Sequence, residues 1–599
     1  MKERYWVREQ GHLAYLDRLL SLCGEEGLSN GERLRFFHLF SRNLEDYLSH
    51  RRQKLLALGR DCTELDQEVR RLFSRRDRLA EEMERLLPPQ EAGGSWRLFD
   101  GRADWGTDGG LYGLMLFYEQ EGNTGAALFV GDRPAQSARE EAKKLLPPGS
   151  RLMGVLPAAL LPGGYLRPDT ALSPELQARQ TAQGRREAAV ALFLCGPLGD
   201  APGICRQMAE GFCRRYFPKA LFLNARPLLS AGMAGNGPER RFTRLVPVSL
   251  RAEGGLLPRL CREELLLCHP FDSLAPLHLL LREAACSPQC RGISLSLYRV
   301  ATPSATVALL CRAAEQGKEV RVFLEPRARG DEEQNLECAR RLFRSGCQVY
   351  FGRGDRKVHG KLLCLELANG GTITQVSTGN PHEGTARSYV DLRLFTPDPA
   401  AGRDALALFA ALERGEEPPQ GEFLHFSPGG IEPFLFKKIR QQQALGSRGY
   451  LFFKCNALTS RSLCAALEQA AGQGVTVDLL VRGACVLHPR KTGPEGGCIR
   501  VRSAVGKLLQ HDRIYQFGRG QEAEYYLSSA DLMARSLRRR VEAACPVQGE
   551  TAKEKLRRHL SLALENASVF EADEAGRYRR SSPPRFPAEK RGTILQGKD

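Results

Sequence analysis

No apolar run in the 599-residue chain approaches the roughly 20 residues that a membrane-spanning helix needs. The start, Met1-Lys2-Glu3-Arg4-Tyr5-Trp6, has no apolar core of the kind that exports a protein. The expectation is a soluble chain working in the cytoplasm. The 18 cysteines include no CxxC pair and no zinc-ligand spacing, and many, such as Cys195, Cys311, Cys364 and Cys464, sit inside apolar runs. That pattern excludes a disulfide scaffold and reads as reduced core thiols. Acidic charge is the minority sign: 70 Asp and Glu against 87 Lys and Arg leave a net +17. A basic surface of this size points to a polyanionic partner, with nucleic acid, nucleotide, inorganic phosphate polymer and anionic membrane all open on charge alone.

What is present divides the chain into four expected segments. Residues 1–92 read as helical, because Leu34, Phe37, Phe40, Leu44 and Tyr47, then Val69, Leu72, Leu79, Met83 and Leu86, recur at helical spacing before Pro88-Pro89 and Gly93-Gly94. Asn43 lies on a polar face of this segment. Residues 93–248 form a head segment with strand-like runs at Leu111–Phe117, Ala126–Val130 and Ala188–Leu194, a polar loop at Gln177–Glu187, and no chemistry that can be named. Residues 249–422 alternate strand and helix: Ile293–Arg299, then Thr306–Gln316, Val320–Glu325, Asp331–Phe343 and Val349–Phe351. Such alternation predicts a largely parallel sheet with helices on both faces. Residues 423–599 run the same course again, with a helix Leu463–Ala471, Gly474 and a strand Val475–Val481. The two segments read as a duplicated α/β unit with pseudo-twofold symmetry. An Arg- and Pro-rich tail from about Gly576 reads as flexible, after a strand near Ser568–Glu571.

Each copy carries the same short motif. In the first, the basic turn Asp355-Arg356-Lys357-Val358 presents His359, and Lys361 follows two residues later on the same side of a strand. In the second, Leu509-Gln510 leads to His511, with Arg513 in place of the lysine. A small-residue turn follows each: Val376-Ser377-Thr378-Gly379-Asn380 and Leu527-Ser528-Ser529-Ala530-Asp531. Two imidazoles flanked by cations suit phosphoryl transfer, one attacking phosphorus and the other handling the leaving group while the basic residues bind equatorial oxygens.

The doubled motif resembles the phospholipase D-like superfamily. The fuller set is similar to the polyphosphate kinases, which make inorganic polyphosphate from ATP: His269-Pro270-Phe271-Asp272-Ser273, Leu297-Tyr298-Arg299, Glu325-Pro326-Arg327-Ala328-Arg329, Lys357-Val358-His359-Gly360-Lys361, Thr378-Gly379-Asn380, Thr385-Ala386-Arg387-Ser388-Tyr389, Val481-Arg482-Gly483 and His511-Asp512-Arg513. It covers most of residues 265–545 in unbroken order and, more weakly, the first 90. The resemblance implies an α/β fold of two tandem phospholipase D-like domains behind a helical N-terminal domain and an α+β head. It implies a phosphohistidine at His359, with His511 assisting. It sets Asn43, Tyr389, Arg482 and His511 against ATP, and Arg299 and Arg329 at a magnesium site. Lys361, Arg513, Lys454 and Arg387 become candidates for an electropositive polyphosphate lining. The implied partners are ATP, ADP and polyphosphate in a homo-oligomeric enzyme (dimer or tetramer), with no nucleic acid and with peripheral membrane association left open.

Departures from the family pattern fall at Arg8-Glu9-Gln10-Gly11-His12, at Gly330, at Phe426-Ser427-Pro428-Gly429-Gly430-Ile431, and through the head, where Ala225-Arg226-Pro227-Leu228-Leu229-Ser230 is the one alignable trace. Two rivals remain open at this point. One is another phospholipase D-type phosphotransferase or nuclease, against which Glu366 and Gln516 stand where those enzymes place Asp. The other is a non-catalytic polyanion-binding paralogue.

Overall fold

The computed structural model describes residues 2–24, 63–85 and 255–580, apart from short breaks at 302, 329–331, 353–355, 493–496, 506–507, 567 and 575–577. It also describes scattered positions between 33 and 62 and six strands between 97 and 224. The chain packs as two compact units: Met1–His12, Thr170–Ala178 and Arg241–Asp599 form one, and Leu13–Asp169 with Arg179–Arg240 form the other.

Helix α1 (Lys2–Cys23) begins in the first unit and continues into the second. In the second unit, α2 (Thr63–Arg85) opens with Glu64 and Asp66, carboxylates favoured at the positive end of the helix dipole. Phe37, Phe40, Leu44, Tyr47, Val69 and Leu72 are buried there, as helical spacing predicts, together with Leu16 and Leu19 of α1. The head strands β1 (Arg97–Leu98), β2 (Leu111–Gln120), β3 (Asn123–Val130), β4 (Arg151–Leu161), β5 (Ala191–Leu194) and β6 (Leu221–Asn224) form one sheet in the order β1-β3-β2-β4-β5-β6. The expected runs at 111–117 and 126–130 lie inside the antiparallel pair β2–β3, and that at 188–194 ends in β5. The loop expected at 177–187 lies outside the described residues.

The first unit carries the duplication. Its first half runs β7 (Leu265–His269), α3 (Ala275–Cys286), β8 (Cys290–Leu297), α4 (Ala305–Glu315), β9 (Glu319–Leu324), α5 (Glu332–Arg344), β10 (Gln348–Phe351), β11 (Lys361–Leu367), β12 (Thr372–Ser377), β13 (Tyr389–Thr396) and α6 (Pro399–Arg414). Local chemistry marks the ends: Ser304 caps α4 by accepting from the Val307 N–H, Asp398 caps α6, and Gly415 closes α6 at φ 75°, where a side chain would be strained.

The second half runs β14 (His425–Ser427), α7 (Ile431–Gln443), β15 (Tyr450–Cys455), α8 (Arg461–Gly472), β16 (Thr476–Val481), β17 (Arg490–Thr492), β18 (Gly497–Val505), β19 (Leu509–Gln510), β20 (Ile514–Phe517), β21 (Glu524–Ser528), β22 (Glu542–Pro546), α9 (Glu550–Asn566), β23 (Ser568–Ala572) and β24 (Tyr578–Arg580). The strand expected near 568–571 is β23.

The sheets correct one expectation. They are mixed, not largely parallel: β8-β9-β10 and β15-β16-β18 are parallel runs, while β8-β11-β12-β13-β7 and β15-β20-β21-β22-β14 are antiparallel. The reason is connection length. Helical crossovers join β8 to β9, β9 to β10 and β15 to β16, whereas the strand leaving each histidine turns straight back in a hairpin.

Both sheets share a core. Leu266, Leu362, Val376 and Leu392 of the first half pack in one cluster with Phe452, Leu480, Ile514 and Leu527 of the second, and with Leu556 and Leu560 of α9. Separate clusters lie under the outer helices of each half. The halves are also stitched by backbone. β19 pairs parallel with β13 through Tyr389↔Leu509 and Val390↔Gln510, and Val358 bridges Val541. The residue after each cross-pairing is a motif histidine.

Candidate active site

Backbone from the opposite half fixes each histidine. The His359 N–H donates to the Val541 carbonyl at 2.8 Å and that of Gly360 to the same oxygen at 2.7 Å; the His511 N–H donates to the Val390 carbonyl at 3.0 Å. The next residue along each partner strand is an acid. Glu542 lies 2.8 Å from Nδ1 of His359, and Asp391 lies 2.9 Å from Nδ1 of His511. Each dyad therefore crosses the pseudo-twofold, so neither half builds one alone.

The small-residue turns hold the acids in place. Thr378 Oγ1 donates to Asp391 at 2.6 Å, and Ser529 Oγ donates to Glu542 at 2.6 Å. Gly379 is obligatory for packing: a Cβ there would overlap the Asp391 carboxylate. Gly379→Ala is expected to cost about 1–3 kcal/mol of stability in a denaturant titration, since the overlapping group is a buried, hydrogen-bonded carboxylate that cannot swing away.

A carboxylate on Nδ1 accepts its proton and leaves Nε2 bearing the lone pair. Both imidazoles are held neutral. His359 lies well below the ordinary histidine value, first through burial and then through the positive charges of Lys361, Arg540, Arg513 and His511. Burial, with Arg513 and Arg482 adding and Asp391 opposing, pushes His511 down to about 4.

These shifts set an acid limit. The unfolded chain takes up protons on these histidines near pH 6.5, while the folded His269 and His511 resist until about 4. The histidine contribution to stability is therefore full above about pH 6.5 and lost as pH falls towards 4, with Glu264 and Glu542, both raised by burial, giving a partial offset of opposite sign, while Lys361, pushed down to about 7, adds a rise with pH above that value. Denaturant midpoints should already fall from about pH 8 to 7 through the lysine and fall further between about pH 6.5 and 4.5 through the histidines.

Cations ring the dyads. Lys361 is 2% exposed and donates to the His359 carbonyl; burial pushes its ammonium down to about 7, against the pull of Glu542. Arg513 donates to the Thr378 carbonyl at 3.1 Å and pairs with Asp531 at 3.2 Å. The halves differ here, because the residue corresponding to Asp531 is the neutral Asn380. The cation beside His359 therefore lacks the turn acid that compensates Arg513.

Tyr298 meets His359 edge-on at 4.6 Å and lies 5.4 Å from the Lys361 ammonium. Tyr389 meets His511 at 5.3 Å. Arg482 is half-buried at the end of β16, and its charge reaches His511. Arg299 is half-buried next to Tyr298.

The other candidates fall elsewhere. Lys454, expected on an electropositive lining, is 2% exposed, and its ammonium is bonded to Asp512 and, at 3.0 Å, to Gln510. It faces inward because β15 is central and buried on both sides. Arg387 is exposed on the short helix Thr385–Ser388. Asn43 is a half-buried helical residue of the other unit. Arg329 lies outside the described residues.

Motif reading missed Asp391, Glu542, Tyr298 and Arg540. The available sign for the two acids was a carboxylate set into an apolar strand, in Val390-Asp391-Leu392 and Val541-Glu542-Ala543. Arg540 is half-buried and stands at the position corresponding to Tyr389, so one dyad has an aromatic neighbour where the other has a cation.

Fold and site together define a duplicated α/β protein in which each half completes the other's histidine–carboxylate pair. The polyphosphate kinase C-terminal domain 1 matches residues 256–418, and the polyphosphate kinase C-terminal domain 2 matches residues 424–590. A polyphosphate kinase of Pseudomonas aeruginosa is 37% identical over 365 residues, which is 59% of this chain and 53% of the relative. One of Campylobacter jejuni subsp. doylei is 34% identical over 323 residues, or 53% of this chain and 46% of the relative. The matched region thus spans about half the length of these curated relatives. The crystal structure of a polyphosphate kinase from Porphyromonas gingivalis superposes with a TM-score of 0.77 over 98% of both chains at 22% identity, which shows the shared fold. This chain belongs to the polyphosphate kinase family.

Proposed function

We propose that this chain transfers the terminal phosphate of ATP to inorganic polyphosphate, reversibly, through a phosphohistidine at His359. The observation carrying the proposal is the cross-half pairing of two neutral imidazoles with Glu542 and Asp391 beside the buried cations Lys361 and Arg513. Nε2 of His359 bonds to the γ-phosphorus as the bond to the bridging oxygen breaks and ADP leaves. A terminal polyphosphate oxygen then attacks the same phosphorus, lengthening the polymer by one phosphate and restoring the imidazole. Lys361, Arg513 and Arg540 offset charge on the transferring group, and His511 works at the leaving oxygen. Tyr389, whose ring meets that of His511, and Arg482, at the end of β16, are assigned to the nucleotide, Tyr389 through its ring and Arg482 through its guanidinium fork. Asn43 is assigned to ATP on family position alone. Arg387 keeps a proposed part in polyphosphate binding.

Magnesium does not fit as an ion held by these side chains. Arg299 has no lone pair to offer a cation, and the described residues contain no group of three or more His, Cys, Asp or Glu side chains able to hold a metal. No step here runs through a protein-held ion. Among the described residues no helix is long and apolar enough to cross a membrane. A cytoplasmic homo-oligomer is proposed on family grounds.

Incubation with γ-labelled ATP tests the reading. Acid-labile, base-stable label on the protein, chased into acid-insoluble polymer by unlabelled polyphosphate, is the expected result. Bound nucleotide without covalent label would leave a polyanion-binding protein. Label or cleavage obtained only from a lipid or DNA phosphodiester would assign the site to another phosphotransfer reaction.

A further inference from the structure

Helix α9 reaches the second dyad from behind at two points. Lys555 and His559 are four residues apart and so share a helix face. His559 is fully buried, with Nε2 2.8 Å from Oδ2 of Asp512. Asp512 is 1% exposed and bonded through its other oxygen to Lys454. It is the residue between His511 and Arg513. Burial alone would raise its carboxyl, but Lys454 and His559 outweigh that and hold it ionised. One turn back, the Lys555 ammonium lies 2.7 Å from Asp272, whose same oxygen accepts from the Cys268 N–H at 2.7 Å. Cys268 precedes His269, and His269 opposes Asp391 across the β7–β13 ladder. One face of α9 therefore supports the backbone on both sides of the His511–Asp391 pair.

We propose that His559 is a positioning residue for His511, acting through Asp512, with Lys555 steadying Asp391 from the neighbouring turn. The proposal rests on the reading of His511 as the second histidine of the reaction. The physical reason is satisfaction of a buried charge. With Lys454 on one oxygen only, Asp512 would keep a desolvated oxygen unpaired. The 511–513 segment would then move to satisfy it, taking the imidazole and Arg513 with it.

The test compares His559→Asn with His559→Gln in the full chain. The Gln amide extends to the level of Nε2 and can still donate to Asp512, whereas the Asn amide stops at the level of Nδ1 and cannot. The first readout is independent of turnover: the rate at which diethylpyrocarbonate modifies His511, followed by peptide mass spectrometry without nucleotide. His559→Asn should raise that rate several-fold and His559→Gln should return it towards wild type. In polyphosphate synthesis His559→Asn should lower kcat by about 10- to 100-fold, by analogy with outer-shell partners of ligating histidines, with KM for ATP unchanged and His559→Gln recovering most of the loss. Equal modification rates in wild type and both variants overturn the proposal, as do equal losses of kcat in both. Should His559→Asn not fold, Lys555→Met decides: faster modification of His511 supports the helix-face support, and an unchanged rate overturns it. If no protein, wild type included, forms polyphosphate, the assigned activity fails while the modification rates still judge the positioning.

Discussion

His359→Ala is expected to abolish covalent labelling from γ-labelled ATP and to lower polyphosphate synthesis by at least about 10⁴-fold, the scale seen when a covalent nucleophile is removed. The loss should be chemical rather than structural. Glu542, which the imidazole leaves behind, keeps the Ser529 hydroxyl at 2.6 Å and remains within the fields of Lys361 and Arg540. The Val358–Val541 bridge uses backbone alone and does not need the ring. An unchanged melting temperature with no label is therefore the predicted pair of results. His511→Ala separates the two imidazoles: it should still take label, more slowly, because His359 keeps both its carboxylate and its lysine. If His511→Ala lost all label while His359→Ala kept it, the roles would be reversed.

The duplication was legible because it is written in short-range pattern. A histidine, a cation two residues on and a small-residue turn after the next hairpin recur in the same order, and each turned out to have a mechanical part. Thr378 and Ser529 aim the acids, and Gly379 makes room for one of them. The helices at 305–315, 332–344 and 461–472 lie within a residue or two of those expected at 306–316, 331–343 and 463–471 from the alternation of strand and helix.

What was not legible is long-range. Nothing local to His359 names Glu542, because the contact depends on the second half folding against the first. Periodicity reports which side of a strand is buried but not which strand lies beside it, so antiparallel returns were read as parallel crossovers. Lys454 illustrates the same limit from the other side. The resemblance made it a candidate for a polyphosphate lining, yet its neighbour in space is Asp512, reached only once β15 and the His511 segment are side by side.

Cross-half dependence makes Glu542 the most informative single atom swap. Glu542→Gln keeps size and most contacts but replaces a carboxylate that accepts the Nδ1 proton with an amide that can present N–H instead. Donation from that amide to Nδ1 would move the imidazole proton to Nε2, where the lone pair must meet phosphorus. In a Ser-His-Asp triad the corresponding amide swap costs about 10⁴-fold through the wrong tautomer, and a loss of about 10³- to 10⁴-fold in phosphoenzyme formation is expected here on the same grounds. Glu542→Asp, which keeps the charge but shortens the reach, should fall between wild type and Gln. Asp391→Asn, acting on the imidazole assigned to the leaving oxygen, should leave label formation measurable while slowing turnover. Rapid-quench measurement of labelled protein distinguishes these cases. Equal, near-wild-type rates in Glu542→Gln would mean that His359 does not depend on the opposite half for its tautomer, and the reason for building one site from two sheets would have to be sought in substrate binding instead.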